Sequence, residues 1–266
     1  VTELRTEDPT LVAVAGDWHG NRPWAVGTIE QIAQAGIRLI LHAGDFGFWP
    51  GSQGKRYLDV VEEACAEHDV TIWVVPGNHE DYSQINSSPY DDAGRRVFRP
   101  HIFALPRGHR WTWYGRTWLA LGGAVSIDRA DRIEGRTWWP EEEITDAEAD
   151  AVIAAGHADV MITHDCPSSV VHAFGPTPVR WSADIRRTEV HRDRLQRVVD
   201  GVKPGELMHG HLHRPYQRYL TVPWGTIRVT GLDCDGAWHG NWSPLDVTTM
   251  RWGHPTEGEE TDGSDR

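Results

Sequence analysis

The sequence predicts an α/β protein of four layers, two mixed β-sheets packed face to face with helices outside. Three observations predict it. Apolar, β-branched runs alternate with helix-period segments between residues 11 and 75; a Trp-rich hairpin follows near 109–121; and strand-like segments return after a second helical region. Alternation of the first kind builds parallel βαβ units, and hairpins add antiparallel strands.

The elements follow in order. Leu11 to Ala15 is an apolar strand. A helix near 24–35 begins at Pro23, which suits a first helical turn, and ends before Gly36, where a C-terminal cap belongs. A strand at 37–42 leads to a helix near 55–68, in which Val60, Val61 and Ala64 recur at helical spacing. A strand at 70–75 completes a βαβαβ unit. Residues 81–109 are rich in Pro, Asp, Ser and Arg and predict an irregular excursion with short strands near 96–104. Strands near 109–114 and 116–121 form a hairpin about Tyr114-Gly115-Arg116, with Trp111, Trp113 and Trp118 as β-prone aromatics. Thr145-x-x-Glu148 is a capping box that opens a helix ending before Gly156. Val160 to Ile162 is a short strand. A helix near 184–200 sets Leu195, Val198 and Val199 on one side and Arg186, Arg187, Arg192, Arg194 and Arg197 on the other. Leu207-Met208 and strands near 215–222, 225–231 and 244–250 give the chain an antiparallel end. One domain is expected over 1–252, with 253–266 a disordered acidic tail.

Composition narrows the function. At 266 residues the chain is long enough for one sizeable core, and its net charge of -13 at pH 7 argues against a general nucleic-acid or anionic-membrane surface. Lys55 and Lys203 are the only lysines. The three cysteines, Cys65, Cys166 and Cys234, are far apart, so neither a disulfide framework nor a thiolate zinc site is suggested. A reducing cytoplasm is the expected compartment. No apolar run approaches the roughly 18 residues of a spanning helix.

Five short blocks carry the chemistry: Gly16-Asp17-Trp18-His19-Gly20, Gly44-Asp45, Gly77-Asn78-His79-Glu80, Thr163-His164-Asp165 and Gly210-His211-Leu212-His213. Each follows an apolar run, so all five should project from one edge of the sheets, where open α/β folds bind ligands. Gly44-Asp45 alone is ordinary turn chemistry, and His164 alone is a common kind of partly buried histidine. Their joint occurrence is what counts. Carboxylate, imidazole and amide oxygen ligands without thiolate suit Mn²⁺, Fe or Zn²⁺, and two such ions about 3.5–4 Å apart can activate a bridging hydroxide while clamping a phosphate.

The five blocks, in order and over residues 16–213, resemble the calcineurin-like metallophosphoesterase superfamily, whose pattern runs D-x-H, G-D, G-N-H-[ED], a later His, then G-H-x-H. The resemblance implies that Asp17, His19, Asp45 and His213 hold one divalent ion, that Asp45, Asn78, His164 and His211 hold the other, and that Asp45 bridges. It also implies that His79, not a ligand, donates a proton or a hydrogen bond to the leaving oxygen. Protein phosphatases of the superfamily continue the second block with an Asp that orients this His and an Arg that grips phosphate. Here Phe48 and Trp49 stand in their places. That disfavours protein phosphatase activity and leaves Glu80, Asp81, Asp165 or backbone groups to hold His79.

Residues 122–143 resemble a loop of a bacterial and phage branch of these enzymes. Arg129, Arg132 or Arg136 could supply the missing phosphate contact, and Trp138 or Trp139 could stack on a base. Trp18 and Trp49, tied to ligand turns, could wall the site, whereas His209 should point away from it. The expected activity is hydrolysis of a small phosphodiester or phosphomonoester, a nucleotide foremost. Two other readings are open: a nuclease, for which the Arg face near 184–200 could serve as a basic surface, and a non-catalytic scaffold binding a partner protein.

Overall fold

The computed structural model describes residues 8–171, 182–237 and 239–253. In chain order its elements are β1 (Leu11–Ala15), α1 (Arg22–Gln34), β2 (Leu39–His42), α2 (Gly51–His68), β3 (Thr71–Val74), α3 (Tyr82–Ser87), β4 (Arg96–Arg99), β5 (Ile102–Ala104), β6 (Arg110–Trp113), β7 (Arg116–Leu121), α4 (Asp146–Ala154), β8 (Val160–Thr163), α5 (Ser168–Val171), α6 (Ser182–Val202), β9 (Glu206–His209), β10 (Tyr216–Val222), β11 (Gly225–Gly231), β12 (Trp242–Asp246) and β13 (Arg251–Trp252). The acidic tail expected to be disordered falls, except for Gly253, outside the described residues.

The local signals act as their chemistry dictates. Asn21 caps α1 through Trp24, with Pro in its first turn, and Gly36 adopts φ +80° just past the helix end. Both halves of the Thr145/Glu148 capping box are made. The excursion at 81–109 holds one helix that composition does not betray, α3, capped by the Asp81 side chain.

Strand order is β13-β12-β1-β2-β3-β5-β4 in one sheet and β10-β11-β9-β8-β7-β6 in the other. Both sheets are mixed. β1, β2, β3 and β5 run parallel, as do β7, β8, β9 and β11, and antiparallel strands flank each parallel centre. The expected antiparallel end is corrected in part: β11 pairs antiparallel with β10 but parallel with β9, and the last strands cross to the first sheet, where β12 lies beside β1.

The two-residue period of the strands sorts the apolar residues into three cores. In β1, Ala13 and Ala15 join α1 and α2 in one core, while Val12 and Val14 enter the core between the sheets. In β7, Leu119 and Leu121 face α4 and α6, while Trp118 and Ala120 face the other sheet. Helix, sheet, sheet, helix is the consequence, because each sheet has an apolar residue for either face. Trp73, Trp111, Trp113 and Trp118 meet in the central layer, with Trp111 stacked on Trp118 at 5.8 Å and Trp113 edge-on to it at 5.1 Å.

Trp118 is fully buried in that layer. Trp118→Ala should lower the free energy of unfolding by about 3–5 kcal/mol, read from urea denaturation, as large buried side chains do when truncated. A loss under about 1 kcal/mol would mean that the sheets do not pack on this residue.

Candidate metal centre

Every one of the five blocks is a turn leaving the C-terminal end of a parallel strand. Asp17 and His19 follow β1, Asp45 follows β2, Asn78 and His79 follow β3, His164 follows β8, and His211 and His213 follow β9. β1-β2-β3 are consecutive neighbours in one sheet and β8-β9 in the other, so the two carboxyl edges face each other. The turns are also tied together through their backbones: Asp17 N–H donates to Gly44 O (2.9 Å), His19 N–H to Asp45 O (2.7 Å) and Gly210 N–H to His164 O (3.1 Å).

Close approach explains the glycines in front of the polar residues. A Cβ on Gly44 would collide with the His164 ring, one on Gly77 with the Asp45 carboxylate, and one on Gly210 with the Asp17 carboxylate. Each glycine therefore makes room for a side chain from a different block. The polar residues themselves are held in left-handed backbone: Asp17, His19, Asp45, His211 and His213 are five of the nine non-glycine residues with positive φ among those described. Such conformations cost of order 1–3 kcal/mol each and gather where function demands them.

The side chains nominated from sequence fall into two groups whose ligand atoms lie within 4.8 Å of one another: Asp17, His19 and His213, and Asp45, His164 and His211. Asp45 stands between them. Its Oδ1 is 3.3 Å from His164 Nε2, while its Oδ2 is 3.6 Å from His19 Nε2. Asn78 Oδ1 adds an oxygen 3.0 Å from His164 Nε2. In the other group, His213 Nε2 is 3.4 Å from Asp17 Oδ1.

Two rings have their tautomers fixed from behind. His164 Nδ1 meets Ala43 O at 2.7 Å and His19 Nδ1 meets Asp235 Oδ1 at 2.9 Å; each of these nitrogens must donate, which leaves Nε2 as the basic atom aimed at Asp45. Asp235 is itself steadied by Asn21 Nδ2 at 2.7 Å. The Asn78 amide is likewise oriented, its Nδ2 donating to Ser126 Oγ (3.0 Å), which donates to Glu142 Oε2 (2.6 Å). Asp235, Asn21, Ser126 and Glu142 lie outside the motifs, and no sequence pattern marks them.

The electrostatics favour positive charge. Asp17 and Asp45 are 0% and 2% exposed. Burial alone would lower the pKa of His19, yet Asp45, Asp235 and Asp17 raise it to about 9. Burial likewise opposes charge on His164, and Asp45 and Asp17 nonetheless carry it well above the usual imidazole range. The Asp45 carboxyl is held low against burial by His164, His79 and His19. A field that draws protons onto two imidazoles also draws divalent cations, and the donor set of carboxylate, imidazole and amide oxygens suits such ions.

His79 stands beside this constellation, its Nε2 3.8 Å from Asp45 Oδ2. None of the acids expected to hold it does so. Glu80 instead accepts from the backbone N–H groups of Phe46, Gly47 and Phe48, Asp81 caps α3, and the buried Asp165 pairs with Arg192. Of the loop residues nominated from sequence, Arg132 reaches His79, with Nη2 2.9 Å and 3.0 Å from its two ring nitrogens. Arg129 pairs with Asp184, and Arg136 lies exposed on the loop's outer turn. Trp138 and Trp139 are 8% and 5% exposed, the latter packed in the helix-side core with its Nε1 donating to Ser83 Oγ, so neither presents a face to a base. Trp18 also lies in that core, beneath the site rather than along its wall, while Trp49 packs over Gly20. His209 is buried away from both groups against Tyr216.

A four-layer sandwich with two such polar groups at the meeting carboxyl edges defines a metallophosphoesterase, a hydrolase of phosphoester bonds. The chain belongs to the calcineurin-like phosphoesterase family, whose model matches residues 10–215. No curated protein matches the chain. One solved structure aligns at a TM-score of 0.56 with 13% identity, over 92% of this chain and 98% of its own. Another, from Thermus thermophilus, aligns at 0.52 with 11% identity, over 92% and 97%. At these identities the likeness is one of fold.

The raised pKa of His19 fixes a pH dependence for the metal-free protein. Its folded value of about 9 exceeds the ordinary 6.5, so the stability it contributes is fully present below 6.5 and is lost as pH rises through about 9. Chelator-treated protein should show a Tm that falls across this window. Adding Mn²⁺ at neutral pH should release protons, seen by calorimetry in buffers of different ionisation enthalpy. Metal binding without proton release would contradict this electrostatic account.

Proposed function

We propose that this chain hydrolyses a small phosphodiester or phosphomonoester on a centre of two divalent cations, within a single domain spanning 1–252. The observation that carries the reading is Asp45: a buried carboxylate with one oxygen toward each of two groups of ligand-type side chains. On this proposal Asp17, His19, Asp45 and His213 would hold one ion, and Asp45, Asn78, His164 and His211 the other, with Mn²⁺ first in expectation and Fe or Zn²⁺ as alternatives. When bound, such a pair supplies an activated water and neutralises phosphate charge.

The residues of the chain do the rest. Asp45 sets the spacing of the two groups, since both of its oxygens are engaged. His19 and His164, with Nδ1 protons committed to Asp235 and Ala43, keep Nε2 free to bind. His79 is one-third exposed, close to Asp45 and free of both groups, a position suited to giving a proton or a hydrogen bond to the leaving oxygen. The burial of Trp138 and Trp139 removes the stacking argument for a nucleotide, so the substrate class is set here by the phosphoester alone. A nuclease is not favoured either: Arg187, Arg192, Arg194 and Arg197 of α6 are paired with Glu143 or Asp184, Asp165, Asp146 and Asp150, which leaves little of a free basic face.

Asp45→Asn tests the reading, because an amide cannot neutralise two cations. The purified variant should lose bound metal at both positions and lose hydrolysis of a panel of aryl phosphates, cyclic nucleotides and dinucleotides assayed with Mn²⁺. Two ions retained with full turnover would refute it.

A further inference from the structure

The loop at 122–143 places an Asp–Arg pair against His79. Arg132 Nε donates to Asp128 Oδ1 at 2.8 Å and its Nη2 donates to Asp128 Oδ2 at 2.9 Å. Nη1 donates to Thr137 O at 3.2 Å, and Nη2 also lies 2.9 Å and 3.0 Å from the two ring nitrogens of His79. A guanidinium has five N–H donors and no acceptor. Asp128 takes two, Thr137 one and His79 one, so a single Nη1 proton is left. A bidentate grip on phosphate needs two adjacent donors, and Arg132 has no such pair to spare.

The loop that carries this pair is anchored. Ser126 N–H and Oγ both donate to the Glu142 carboxylate, at 2.8 Å and 2.6 Å, closing the loop's base, and Ser126 Oγ also accepts from Asn78. The loop's farther turn is closed by Ile133 N–H donating to Thr137 Oγ1 (2.8 Å) and Thr137 N–H donating to Ile133 O (2.8 Å). The Arg132 side chain is 11% exposed, whereas that of Asp128 is 43% exposed. The guanidinium is therefore the buried, fixed member, and the carboxylate braces it from the solvent side.

We propose that Arg132, braced by Asp128, is the positioning residue of His79. Its Nη2 lies 2.9 Å and 3.0 Å from the two ring nitrogens, a placement out of line with either in-plane lone pair, so the guanidinium rests against the ring face and fixes where the imidazole stands. Held there, the ring keeps Nε2 on the side of Asp45, 3.8 Å from its Oδ2, where a leaving oxygen needs a donor. This role rests on the reading of His79 as the proton donor.

The test is a double-mutant cycle read with substrates of different leaving groups. Arg132→Ala should lower kcat by about 10²-fold, as for loss of a positioned acid, with KM and inhibition by inorganic phosphate unchanged. In a His79→Ala background the same change should cost under about threefold more, since a residue that acts through His79 has nothing left to position. Asp128→Asn should fall in the same direction by less. Metal content should match wild type in all three. The loss in Arg132→Ala should shrink for substrates with good leaving groups, as it should in His79→Ala, because such groups need little protonation. Losses that multiply in the cycle, with raised KM and weaker phosphate inhibition, would make Arg132 a phosphate contact and overturn the proposal; so would wild-type kcat in a folded Arg132→Ala protein while His79→Ala is impaired. Wild-type kcat in His79→Ala itself would instead overturn the reading of His79 as donor.

Discussion

Two buried carboxylates with histidines, not Lys or Arg, as their partners govern this structure. Asp17 and Asp45 are almost wholly withdrawn from water, and among the described residues no Lys or Arg pairs with either. Burying an unpaired charge is costly enough that a protein neutralises it, pairs it or gives it a metal. Here the neighbours are imidazoles, and the field of the carboxylates raises the pKa of two of them. That arrangement makes sense as a place for cations. The fold exists around it: three parallel strands bring Asp17, His19, Asp45 and Asn78 to one rim, and two strands of the facing sheet bring His164, His211 and His213.

Assembling so much polarity at one rim strains the chain. Five of the site residues take left-handed backbone, and three glycines stand where another residue's side chain already is. The surrounding packing must hold these turns in place. Glu80 does so for the turn after β2, its carboxylate spanning three consecutive backbone N–H groups although burial pushes its pKa up to about 7. Asn241 does so for the turn after β1, its side chain donating to Gly16 O and accepting from the indoles of Trp18 and Trp24. The tryptophan-rich layer between the sheets then fixes one rim relative to the other.

Much of this was legible in the sequence, for identifiable reasons. Strands with apolar residues on both faces, such as Val12 to Ala15, announce sheets covered on both sides, and the Gly-Asp and Gly-His pairs announce turns that gather polar side chains at one rim. The placement of β12 beside β1 was not legible, because nothing local in residues 242–246 says which sheet they join. The groups that orient these side chains were hidden for the same reason. Asp235 meets His19 across 216 residues of sequence and Glu142 reaches Asn78 through Ser126, contacts that only the fold creates. Trp138 and Trp139 misled in the opposite way: a Trp pair in a loop suggests a stacking platform, but the loop folds back and buries both against its own chain.

The proposal that Asp45 separates two cation sites is tested most directly by an anomalous difference map from crystals equilibrated with Mn²⁺. Two peaks are expected, one on each side of Asp45, the first among Asp17, His19 and His213 and the second among Asn78, His164 and His211. A single peak, or two peaks that both lie away from the Asp45 carboxylate, would contradict it.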